Sequence, residues 1–95
     1  MSKKTSKKIS ELSTAIDYAK AASTQLGYHG NVGNAKETAE KLLKEMPKFK
    51  NFPKLQREYT SILSRVSAGQ WTAQMGSAIF RNKVDQLHRQ IYELE

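Results

Sequence analysis

Nowhere in this chain do apolar and polar residues alternate in the two-residue rhythm of a half-buried strand; apolar side chains recur instead at steps of three and four. That spacing gathers them on one stripe of a helix, so each segment has one face to bury and can bury it only against other helices. With 95 residues and no cysteine, the chain has material for one core held by packing alone, without disulfides or thiolate-bound metal. No apolar run reaches the roughly 18 residues that span a bilayer, and the lysine-rich start lacks the apolar segment of a secretory signal. The expectation is an intracellular, cytoplasmic, all-α protein: a small bundle of three to four helices with a long C-terminal helix.

Residues 1–8, MSKKTSKK, carry lysines and small polar groups with nothing apolar in the interior of the run. Nothing there offsets the entropy of ordering a backbone, so they read as a flexible basic tail on a single helical domain over residues 9–95. Ile9, Leu12, Ile16, Ala19 and Leu26 predict a first helix over residues 6–26 that stops at Gly27. Gly27, Gly30 and Gly33 then mark a loop, and Asn34 with Glu37 has the spacing of a capping box opening a second helix over residues 35–45, which Pro47 ends. Pro53 suits the first turn of a third helix bearing Leu55, Tyr59, Ile62, Leu63 and Val66. At residues 67–70 a break is expected, with Ser67 capping a new helix and Gln70 reaching back; one long helix would have to carry Gly69 at a cost of about 1 kcal/mol. The last segment has the most regular seam, Ala73, Phe80, Val84, Leu87, Ile91 and Leu94, of the kind two packed helices share, either within the chain or with a second copy in a homo-oligomer. Gly76 and Ser77 fall where that seam lacks a bulky side chain, so another backbone can approach closely.

Sixteen Lys and Arg against nine Asp and Glu leave a formal charge of +7. Part of this is arranged in pairs four apart, Glu37 with Lys41, Glu40 with Lys44, Lys41 with Glu45, and Arg81 with Asp85 and Arg89, each pair worth about 0.2–0.5 kcal/mol. The unpaired excess lies in the N-terminal tail and in the acid-free stretch from Pro47 to Arg57, where Phe49 and Phe52 alternate with cations. Cations that reach phosphates beside rings that stack on bases are the ingredients of sequence-independent nucleic-acid binding. Lys48, Lys50, Lys54, Arg57, Phe49, Phe52, Lys7 and Lys8 are therefore the candidate nucleic-acid contacts. The competing reading has both phenylalanines closing the core while the lysines between them simply face water.

Tyr28 and His29 in the glycine loop and Trp71 after the suspected break are candidate partner contacts, because such side chains pack at one end and hydrogen-bond at the other. Catalysis finds no residues to carry it. His88 follows Asp85 with no nucleophile placed beside it, and two histidines with scattered carboxylates make no metal-ligand set, so no metal or cofactor is expected. A helix-turn-helix is disfavoured by the long connector with a proline at each end, and the first helix has too little bulky apolar surface to lie on a membrane. These features predict a non-enzymatic basic helical protein that contacts nucleic-acid backbones with little sequence specificity. The alternative is a small regulator or inhibitor, a class that includes virus-encoded proteins, docking on an acidic protein surface of a larger, nucleic-acid-processing assembly.

Overall fold

The computed structural model describes residues 3–29 and 33–94, with side chains from Thr5 onward. Its elements are α1 (Lys3–His29), α2 (Ala35–Leu43), a 3-10 turn (Met46–Phe49), α3 (Pro53–Ser67) and α4 (Ala73–Leu94). The protein is an all-α bundle, and no strand occurs among the described residues. The longest dimension, 46 Å, is set by α1, whose helical rise alone accounts for about 40 Å.

α1 and α4 run antiparallel and form the most extensive helix pair in the molecule. Small residues let them approach. The Ser23 hydroxyl donates to the Ser77 carbonyl at 2.9 Å and the Ser77 hydroxyl donates back to the Ser23 carbonyl at 2.7 Å, pinning the two helices in register. Gly76 has no space for even one methyl group, since a Cβ there would stand 2.8 Å from Val66 Cγ2 and 3.3 Å from Leu26 Cδ1. The absence of a side chain at Gly76 thus lets three helices meet at one point. α2, the 3-10 turn and α3 fold back across the middle of this pair and close the core around Tyr18, Phe49, Tyr59 and Phe80. Tyr18 and Tyr59 stack, and the other close pairs meet edge-on or tilted, all at centroid distances of 5.1–5.4 Å, geometries that favour aromatic contact beyond simple area burial.

Several boundaries differ from the sequence expectation, each for a local reason. α1 begins at Lys3, so residues 3–8 continue the helix instead of forming a separate tail, while residues 1–2 lie outside the described residues. It also passes through Gly27 to His29, because Gly27 faces α4, where a Cβ would come within 3.4 Å of Ser77 Oγ; packing offsets the conformational cost of a helical glycine. The Asn34 side chain makes no capping bond, and α2 ends at Leu43 before the chain tightens into the 3-10 turn that Pro47 helps start. The four-spaced charge pairs do not close to ion-pair distance; among the described residues the ion pairs are Lys48–Glu45 and Lys83–Glu58.

The break between α3 and α4 is present, but its caps differ from those expected. Gly69 adopts φ +77°, the Gly69 N–H donates to the Val66 carbonyl at 3.1 Å, and the Gln70 N–H reaches the Arg65 carbonyl at 2.9 Å. This is a Schellman termination, which needs a residue free to take the left-handed conformation. Thr72, not Ser67, opens α4: its hydroxyl accepts the Met75 N–H at 3.1 Å. The C-terminal seam, whose spacing allows burial within the chain or pairing with a second copy, is buried within the chain through Leu87, with Ile91 half-buried and Leu94 exposed beyond it. No helix among the described residues is long and apolar enough to cross a membrane.

Candidate nucleic-acid interface

Phe49 is 2% exposed and packs edge-on against Tyr18 and Tyr59, so it seals the interior and offers no face to a base. The connector therefore does not form the expected surface of alternating rings and cations. Lys48 bends back over it. Its Nζ lies 4.8 Å from the Tyr18 ring centroid, 5.7 Å from that of Phe49 and 3.7 Å from a Glu45 carboxylate oxygen. Lys50 is exposed and lines neither stretch of the groove between α3 and α4, and Lys7 lines a hollow with Thr5, Lys8, Glu11 and Leu94.

The remaining candidates converge elsewhere. α3 and α4 pack on each other less closely than α1 and α4 do, leaving a groove in two adjoining stretches of about 360 Å³ and about 560 Å³ that share Lys54, Glu58, Lys83 and Gln86. Phe52 and Lys8 stand at one end, the Lys8 Nζ lying 5.6 Å over the half-buried Phe52 ring. Trp71 stands at the other end, with the Arg65 guanidinium 4.7 Å over its ring. Between them, Lys54, Arg57, Ser61 and Arg65 line the α3 wall. Their spacing of three, four and four puts them on one helical stripe. The α4 wall carries Ile79, Asn82, Lys83 and Gln86, which share a stripe by the same spacing.

The groove is strongly cationic. Lys8, Lys54, Arg57, Arg65 and Lys83 line it against the single carboxylate of Glu58, which is already paired with Lys83. Lysine and arginine heads spaced along a concave, partly apolar floor concentrate positive potential and draw polyanions toward it. Arg65, Lys83 and the amides of Asn82 and Gln86 were not singled out from the sequence. The signal available there was the α3 stripe itself, cations at Lys54, Arg57 and Arg65 recurring beside the buried stripe of Tyr59, Ile62 and Val66.

The partner candidates separate. Trp71 belongs to the groove, whereas Tyr28, 72% exposed, and His29 sit at the C-terminal end of α1 outside its lining, their rings edge-on at 5.0 Å. Among the described residues no three His, Asp or Glu side chains converge as a metal site would require. The buried phenols of Tyr18 and Tyr59 hold their protons well above the ordinary range. Desolvation is the main cause, with the carboxylates of Glu45 and Glu58 respectively adding to it. Their hydroxyls donate to the Leu42 carbonyl at 2.8 Å and the Ala15 carbonyl at 2.9 Å, so they tie elements together and stand apart from the groove. No known protein family, curated protein or solved structure matches this chain, and its own geometry carries the functional argument.

Proposed function

We propose that the protein is a non-enzymatic, intracellular nucleic-acid-binding module whose α3–α4 groove takes the phosphate backbone with little sequence specificity. One observation carries this reading: the groove collects five cations from three helices around one already paired carboxylate. Backbone binding of this kind is electrostatic, and its affinity falls as salt competes for the phosphates. If Lys8, Lys54, Arg57 and Arg65 each neutralise one phosphate, log affinity falls against log salt with a slope of about −3 for a single strand. The test is an anisotropy titration of a labelled oligonucleotide from low to physiological salt with the intact chain and with Lys54→Glu/Arg57→Glu. The double reversal is expected to weaken binding at least tenfold at low salt. A salt-independent affinity, or one the reversal leaves unchanged, rules the groove out.

A second reading is favoured by exposed side chains outside the groove: Tyr28 and Met75, 72% and 47% exposed, near the end where α1 finishes and α4 begins. In that reading the chain is a small regulator that docks there on a larger assembly. A stoichiometric protein partner that survives nuclease treatment and is lost with Tyr28→Ala would favour it over nucleic-acid binding.

A further inference from the structure

We infer that the Arg65–Trp71 pair is a stacking seat for an unpaired base, so that the groove prefers single-stranded nucleic acid to duplex. This rests on the groove being a polyanion site and adds which polyanion it selects. Trp71 packs on its inner side against the core and carries the exposed Arg65 guanidinium 4.7 Å over its ring. A guanidinium held over an indole adds a cation beside a ring, and unpaired bases stack on arginine planes and aromatic rings alike.

The arrangement of the neighbouring cations agrees with one strand. Lys54, Arg57 and Arg65 form a single row on α3, spanning about 16 Å at the helical rise per residue, and the row ends at the seat. A strand laid along it presents its phosphates to Lys54 and Arg57, one base to the Arg65–Trp71 pair and its other bases to the opposite wall. There the amides of Asn82 and Gln86 both donate and accept hydrogen bonds, and so tolerate any base edge. A duplex keeps its bases stacked on one another and would meet the cations while leaving the seat unused.

The chain has one tryptophan, so its emission reports directly on the seat. The experiment titrates the full chain with a thymidine oligonucleotide about ten nucleotides long, within the range of sites that such channels cover, and with the matching duplex. Single-strand binding about tenfold tighter than duplex binding, with Trp71 emission quenched only by the single strand, supports the seat. Arg65→Lys keeps the charge and removes the plane, and Trp71→Phe keeps a core-filling ring. Each is expected to weaken single-strand binding severalfold and duplex binding clearly less, with the melting temperature nearly unchanged. Equal affinity for both forms without quenching, or Arg65→Lys binding the single strand like the parent, overturns the seat while leaving the groove as a plain phosphate site. Polyglutamate competing as well as the oligonucleotide at equal charge overturns it too. Binding to neither nucleic acid at low salt removes the groove reading along with the seat.

Discussion

Two of the places that set a cation over an aromatic ring, the connector and the α3–α4 break, do opposite things. At the connector, Lys48 lies over Tyr18 and Phe49, but both rings are at most 5% exposed, so the ammonium lids the core and pairs with Glu45. At the α3–α4 break, Arg65 lies over Trp71, which is half-buried and opens into a groove lined by further cations. Both put a basic residue near a ring in sequence, Lys48 next to Phe49 and Arg65 six residues before Trp71. What separates them is whether the far side of the ring meets other aromatic side chains or a hollow, and this depends on which helices cross behind it.

The largest expected effect sharpens that contrast from the structural side. Phe49→Ala removes a ring enclosed by Tyr18 and Tyr59 and is expected to cost about 3–5 kcal/mol, read by chemical denaturation, because such a cavity is only partly refilled. Any molecules that remain folded are expected to bind an oligonucleotide as the parent does. A Phe49→Ala protein of near-parent stability with weakened binding would reverse the assignment of the two sites.

The two regions also part company in alkali. An ordinary tyrosine ionises at about pH 10. Burial raises the proton affinity of Tyr18 and Tyr59 in the folded state, so the unfolded chain loses these protons first as pH rises. Folding stability is then complete below about pH 10 and falls above it, toward the higher folded-state values. Denaturation midpoints followed by circular dichroism are expected to drop steeply above that pH. Tyr59→Phe is expected to lose about 1 kcal/mol at neutral pH, with its bond to the Ala15 carbonyl, yet to show a shallower alkaline decline. A decline unchanged in Tyr59→Phe would mean that this phenol does not contribute to it.

Much of the fold was legible because its causes are local. Helical periodicity names the faces that are buried, and Gly69 and Pro53 mark a break and a start through their own backbone restrictions. Gly27 misled because its role is set by Ser77, fifty residues away in sequence, and the same residue type that ends a helix also lets two helices touch. Thr72 was overlooked as the α4 cap because Ser67 and Gln70 offered the same motif one turn earlier; the Schellman geometry at Gly69 needs those residues for the end of α3. The groove was legible only in part. Lys8, Lys54, Arg57, Phe52 and Trp71 could be named from chemistry, but their association with one another and with Arg65 and Lys83 depends on how α1, α3 and α4 cross. No spacing along one segment encodes such a crossing.

The smallest expected effect tests the comparison most directly, because it asks whether a lysine beside a ring is enough to make a contact. Lys48→Ala removes a cation that is about half exposed and engaged with two buried rings and a carboxylate. Its loss is expected to lower stability by about 0.5–1 kcal/mol, the worth of a surface cation–π contact, and to change oligonucleotide affinity by less than about twofold. Lys54→Ala sets the scale for a proposed phosphate contact: it should flatten the single-strand salt slope by about 0.7 with little change in stability. Were Lys48→Ala to flatten the slope by as much as Lys54→Ala, the connector would belong to the interface after all. The strand would then have to leave the groove past Phe52 and run on across the 3-10 turn.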